Sequence, residues 1–401
     1  MKSLKEQKAF QGNCLIVSLL LCLLTAGIYA WVVFPQTGMI DTYSDTSLHV
    51  LYAKQFFSGE APAKCYMYPI TFACISILGR FAGSYFAGAT VFVGICAFLT
   101  CFLQICVVQK MVSTLSGYQA AIYGFCLGFM WPIDLSGLLN RGGVSNLYLK
   151  VGAASPVHNF TSLTVKPFAI VCFYLLVKIF DCARKENYQL TKKDIGSFFI
   201  LGISLFFSVM AKPNFYQCFA PAGFLSALIY LYYLRKKIFM HCVALGLSFV
   251  PATCYVLYGM QHNLSPLRIM PLESYKLVNG DFPIFVGFVQ AVLFIVLVTI
   301  YLLFFRRKNM VWVCWCIVIV GFLEFVLLAE PADLGSMNMQ WGFMVSLYLA
   351  YIFSLCELEN NKQKTRNGTI LYGICKGCFF IHAFTGLYAF YEWGRMYYTL
   401  L

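Results

Sequence analysis

Charge is what this chain has least of. Asp, Glu, Lys and Arg together make up 11% of its 401 residues, and histidine occurs five times. So few ionic groups cannot cover a soluble globular surface, and 60% of the residues are hydrophobic. No stretch rich in Pro, Gly or Ser marks a linker, and there is no internal repeat or low-complexity tract. One integral membrane domain over residues 1–401 is the expectation. The P-loop, G-x-G-x-x-G, H-E-x-x-H and G-x-S-x-G patterns are all missing. That argues against nucleotide hydrolysis and the common soluble hydrolase chemistries, and no nucleotide-sugar domain is apparent. Cysteine is plentiful at 18, but residues such as Cys96, Cys101, Cys106, Cys314 and Cys316 sit inside apolar runs, where cysteine packs as a small hydrophobe. Cys375 and Cys378 form a lone CxxC in an apolar helix and read as packing. Neither a zinc site nor a disulfide framework is supported.

What is present is apolar run after apolar run, each about 17–23 residues long, the length that crosses a bilayer as a helix. The backbone must satisfy its own hydrogen bonds in lipid, so the fold class is an all-α polytopic bundle of about 11–12 segments. Twelve candidates stand at roughly 13–34, 66–82, 84–109, 117–132, 162–181, 196–211, 213–234, 240–260, 283–305, 310–328, 340–356 and 369–391. The first resembles a signal peptide in its basic start, but its apolar run is too long, and it reads as a retained anchor. Gly124 and Gly128, four apart within a span, allow close backbone approach. The 18% of aromatics suits interfacial belts.

The net charge of +13 does not point to nucleic acid, because of where it lies. Lys2, Lys5 and Lys8; Arg184, Lys185, Lys192 and Lys193; Arg235, Lys236 and Lys237; Arg306, Arg307 and Lys308; and Lys362, Lys364 and Arg366 gather in short loops. That is the positive-inside signature of cytoplasmic loops. The parity closes when 66–82, short and interrupted by Pro69, Gly79 and Arg80, is a re-entrant half-span. Eleven crossings result, with polar outer loops at 35–83, 133–161, 261–282 and 329–339. Function is expected in these extracytoplasmic loops.

The first of them holds Asp41, Asp45 and His49. Leu48, Leu51, Tyr52 and Phe56 keep helical spacing, which sets Asp45 and His49 one turn apart on one face. The plain alternative is an N-cap aspartate and an exposed histidine. The second loop offers Arg141, His158, Asn159 and Lys166, with Lys166 about one turn inside a span; snorkelling is its ordinary explanation. Asn159-Phe160-Thr161 also matches a glycosylation sequon, which matches by chance often. Lys212-Pro213-Asn214 lies at an outward turn, where a lone cation suits an anionic ligand. Glu330 and Asp333 precede Asn338-Met339-Gln340-Trp341 at a helix start and are read as caps or as sugar ligands. Trp341 is an interface anchor or a stacking platform, and Glu324 sits inside an apolar run where an acid needs a partner.

Asp45-Thr46-Ser47-Leu48-His49, then Ala53-Lys54-Gln55-Phe56-Phe57-Ser58-Gly59, then Tyr68-Pro69-Ile70 resembles the first outer loop of the GT-C superfamily. These are membrane glycosyltransferases that use lipid-phosphate sugar donors, as the dolichyl-phosphate-mannose-dependent protein mannosyltransferases do. The match covers about thirty residues and departs at Thr46, where the family often has glutamate. The resemblance implies a polyprenyl-phosphate sugar donor and a glycan, lipid or protein acceptor. It also implies a multi-pass protein of the plasma membrane with its site on the extracytoplasmic face. Asp45, or Asp41, would be the base, supported by His49. Arg141, His158 and Lys166 would meet the donor phosphate. Tyr68, Asn159, Lys212, Glu330 and Gln340 complete the expected binding set. Asp41, Asp45 and Glu330 offer oxygens to a divalent metal, which this chemistry accommodates without demanding. The alternative class is a transporter, flippase or polymerase of lipid-linked oligosaccharide. A transporter would bury charge at mid-membrane and show inverted repeats. A polymerase would lean on outer-loop arginines such as Arg141 and Arg268.

Overall fold

A computed structural model describes residues 4–38, 45–133, 152–155, 159–183, 190–234, 238–262, 266–280, 283–307 and 310–400. Among the described residues fifteen α-helices follow one another: α1 (Leu4–Val33), α2 (Thr46–Phe56), α3 (Ala63–Met67), α4 (Pro69–Phe81), α5 (Tyr85–Met111), α6 (Gly117–Leu127), α7 (Phe160–Ala183), α8 (Lys192–Ala211), α9 (Pro213–Leu234), α10 (Phe239–His262), α11 (Glu273–Asn279), α12 (Ile284–Phe304), α13 (Val311–Leu327), α14 (Asn338–Asn360) and α15 (Arg366–Leu400). Among the described residues the strands are β1 (Arg268–Ile269) and β2 (Leu328–Ala329), antiparallel with Arg268 opposite Ala329. Nine of the described helices are long and apolar enough to cross a membrane; Pro69–Phe81 and Val311–Leu327 are shorter apolar helices.

Side-chain bonds sort the helix ends into two sets. At one end Arg307 Nη2 donates to Gln363 Oε1 (2.5 Å), Tyr301 Oη to the Asn361 carbonyl (3.1 Å) and Asn360 Nδ2 to the Met111 carbonyl (3.0 Å). This is the basic end. At the other, Thr46 Oγ1 donates to Gln36 Oε1 (3.3 Å), Tyr255 Oη to the Met67 carbonyl (3.0 Å) and Asn214 Nδ2 to the Asn338 carbonyl (2.6 Å). Trp31 stacks on Tyr398 there at 5.6 Å. Helices α1, α5, α7, α8, α9, α10, α12, α14 and α15 are the nine described helices long enough to run between these ends. Eleven crossings were expected, but α6, from the expected 117–132 span, has only 11 residues, and α13 is one of the shorter apolar helices.

Helix α4 does not run between the ends. Its start, Tyr68, lines a polar cavity with Asp45, while Gly83 and Ser84 beyond its finish line a cleft with Thr37 and Gly38 at the same end. A helix of 13 residues spans only about 20 Å, well short of the hydrocarbon thickness. It folds back on α5 because Gly79 and Gly88 meet backbone to backbone: a Cβ on Gly88 would lie 2.4 Å from the Gly79 nitrogen. Gly124 does similar service, since a Cβ there would lie 2.3 Å from Ile105 Cγ1 and would push α6 off α5.

Helix α14 is the axis of the bundle. Every residue from Met339 to Glu359 is buried, and α9, α12 and α13 pack around it. A helix apolar all round has no lipid face to prefer, and it takes the centre. Its two acids find partners at the basic end. Glu357 Oε1 accepts from the Met310 amide (3.2 Å). Glu359 accepts from Tyr123 Oη and from Tyr372 Oη (2.7 Å), and pairs with Lys376 (3.5 Å).

Candidate functional site

At the end opposite the basic turns lies a cavity of about 340 Å³. Its walls come from the head and body of α2 (Asp45, Leu48, His49, Tyr52), from α3 and the α3–α4 hinge (Lys64, Tyr68), from the start of α7 (Asn159, Thr161), from the α8–α9 turn (Lys212, Asn214), from the segment before α14 (Glu330, Asp333) and from the first residue of α14 (Asn338). Segments far apart in sequence therefore converge on one polar chamber. Such a volume lies within the range of small-molecule sites, roughly 300–1,000 Å³.

Asp45 sits at the head of α2, and its carbonyl accepts from the His49 amide at 2.9 Å. Its side chain makes no capping bond. The carboxylate instead takes a long hydrogen bond from Asn159 Nδ2, 3.4 Å away. His49 is buried between the rings of Phe72 (5.7 Å) and Phe160 (5.5 Å), not on an exposed face.

Lys212 leaves the C-terminus of α8 in extended conformation because Pro213 follows it and begins α9. Its ammonium is buried, donates to Asn159 Oδ1 (3.1 Å) and rests over the Trp341 ring at 4.6 Å. Burial pulls its pKa down to about 7, against the opposing attraction of Asp45 and Glu330. Trp341, expected at an interface, is buried beneath this cation. Glu330 accepts from Asn338 Nδ2 at 2.8 Å. Burial raises its pKa, and the Asn338 bond opposes that rise. Tyr68 is held well above the ordinary phenol value by burial.

Of the residues expected from sequence, Asp45, His49, Tyr68, Asn159, Lys212 and Glu330 line this cavity. Lys166 and Gln340 do not. Lys166 neither snorkels nor reaches the cavity: it is buried in α7 over the Tyr348 ring (4.2 Å), 3.5 Å from Ser155 Oγ. Gln340 is buried one turn into α14. Asp41, Arg141 and His158 lie outside the described residues. Glu324 finds a partner in Cys218, whose Sγ lies 2.9 Å from Oε2. Sequence reasoning passed over Lys64, in α3, and Tyr52, which stands in the same helical stretch as Asp45; both face the same chamber. The signal was the helical register itself, because Leu48 and Tyr52 share a face with Asp45.

Lys64 and Lys212 are the cations of the cavity, and Asp45, Glu330 and Asp333 are its carboxylates. Among the described residues no three His, Cys, Asp or Glu side chains converge as a metal site. The chamber can hold an anion near its lysines and accept a proton at Asp45. The fold and site define an α-helical protein of multi-pass membrane type with a polar chamber at one end of the bundle. No family model, curated protein or solved structure matches the chain.

Proposed function

We propose that the protein is a membrane glycosyltransferase that moves a sugar from a polyprenyl-phosphate donor to an acceptor hydroxyl on the extracytoplasmic face of the plasma membrane. The observation that carries this reading is an uncapped carboxylate, Asp45, sharing a chamber with a buried lysine at the end remote from the basic loops. Positive-inside bias supports an outward position for that end.

In this reading the acceptor oxygen attacks the anomeric carbon. Asp45 takes the acceptor proton as the new C–O bond forms. The bond between the anomeric carbon and the phosphate oxygen breaks, and the electron pair leaves with polyprenyl phosphate. Lys212 and Lys64 meet the charge that develops there. The neutral polar groups, Asn214, Asn338 and Tyr68, remain to bind sugar hydroxyls. His49 fits between its aromatic neighbours as a support for the α2 wall.

The test is glycan analysis of the host envelope with Asp45→Asn at matched membrane expression. Loss of one defined sugar linkage, with the variant folded, is expected. An unchanged envelope removes Asp45 from the chemistry and moves the weight to transport of a lipid-linked oligosaccharide.

A further inference from the structure

Asp45 and Lys212 share the chamber, yet neither belongs to an ion pair among the described residues. What lies between them is the side-chain amide of Asn159. Its Oδ1 accepts three bonds: from Thr161 Oγ1 (2.6 Å), from the Ser162 amide (3.1 Å) and from Lys212 Nζ (3.1 Å). The Ser162 amide can only donate, so an NH2 group cannot occupy that position, and the Thr161 hydroxyl and the Lys212 ammonium donate to the same oxygen. The planar amide must then turn Nδ2 the other way, toward Asp45. Asn159 is itself buried at 4% exposure, which removes the sequon as the explanation of this residue.

We propose that Asn159 is a positioning residue that holds Asp45 and Lys212 apart, so that the carboxylate stays available as a base and the ammonium as an anion-binding group. A carboxylate in direct contact with an ammonium is a weaker base, and the paired ammonium is a weaker phosphate ligand. A neutral amide that offers a donor to one and an acceptor to the other satisfies both without neutralising either. The local chain supplies the rigidity. Thr161 and the Ser162 amide tie Oδ1 to the first turn of α7, where the Leu163 amide also bonds the Asn159 carbonyl at 3.2 Å. The role assigned to the two charges rests on the glycosyl-transfer reading; the separation itself does not.

The titratable groups that face Lys212 across the chamber are Asp45, His49 and Tyr52 from α2, Lys64 from α3, Tyr68 at the head of α4, and Glu330 and Asp333 before α14. The experiment reads Lys212 directly, by trace acetylation with acetic anhydride across pH on the full-length protein in detergent, quantified by peptide mass spectrometry. Wild-type Lys212 is expected to gain reactivity as pH rises through about 7. In Asn159→Ala the carboxylate closes on the lysine, and the midpoint moves up by about one pH unit or more. The double variant Asn159→Ala, Asp45→Asn loses that rise. Asn159→Asp sets a carboxylate at the same position and gives the upward shift of a direct pair, as the positive control. An unchanged or lowered midpoint in Asn159→Ala, with the control responding, overturns the proposal, because loss of a merely structural acceptor leaves the lysine less easily protonated. If the midpoint shifts while Asp45→Asn leaves the envelope glycan intact, the spacer stands and the glycosyltransferase reading falls.

Discussion

Replacing Lys212 with methionine separates what this residue does for stability from what it does for binding. Lys212 is 7% exposed, and its pKa lies at about 7 in the folded protein against 10.5 for the free side chain. Between those values the folded chain binds fewer protons than the unfolded chain, so this group's contribution to stability rises with pH over that window. Below about 7 the charged lysine must stay buried, and at pH 6 it costs about 5 kcal/mol relative to a group without the shift. At pH 9 the same linkage leaves about 2 kcal/mol. Methionine has similar length and no such term. Lys212→Met is therefore expected to be the more stable protein at pH 6. Its advantage should shrink by about 3 kcal/mol by pH 9. Unfolding in detergent followed with a thiol-reactive fluorophore suits the measurement, because many of the cysteines are buried and all those described are free. On the glycosyl-transfer reading, activity is expected to disappear in the variant at every pH. A stability gap independent of pH, or one that widens in favour of methionine toward pH 9, would refute the argument from burial.

Two further outcomes follow from the packing. Gly88→Ala sets a methyl against the Gly79 backbone and is expected to cost about 1–3 kcal/mol or more by levering α4 off α5, read as a lowered unfolding midpoint. Glu359→Gln leaves Tyr123, Tyr372 and Lys376 with a single neutral acceptor and is expected to cost about 2–3 kcal/mol, read as a lowered unfolding midpoint, while the chamber at the far end of the bundle stays intact in whatever fraction remains folded.

Much of the scaffold was legible in the chain. Apolar run length placed most of the long helices to within a few residues, although α1 starts at Leu4 where 13 was expected, α6 ends at Leu127 where 132 was expected, and α15 runs from Arg366 to Leu400 where 369–391 was expected. The half-span at 66–82 was legible from its interruptions, and the break falls at Tyr68 between α3 and α4. Helical register alone put Asp45 and His49 on one face. What register does not carry is depth. Lys166 and Lys212 are both basic residues near helix ends, and nothing local distinguishes them. One is enclosed in α7 over Tyr348, and the other opens into the chamber.

The division has a physical cause. Hydrophobicity over some twenty residues and the placement of Lys and Arg are local quantities, and the bilayer converts them into spans and sidedness without reference to other segments. They determined that this is a helical membrane protein with polar loops at the end away from its basic turns. A site is a meeting of segments remote in sequence. Asn159 reaches Asp45 across 114 positions and Lys212 across 53, and Asn214 reaches Asn338 across 124. Those meetings depend on how α14, buried along nearly its whole length, gathers α9, α12 and α13 around itself. Only the packed bundle decided that the carboxylate and the lysine would face one chamber with an amide between them.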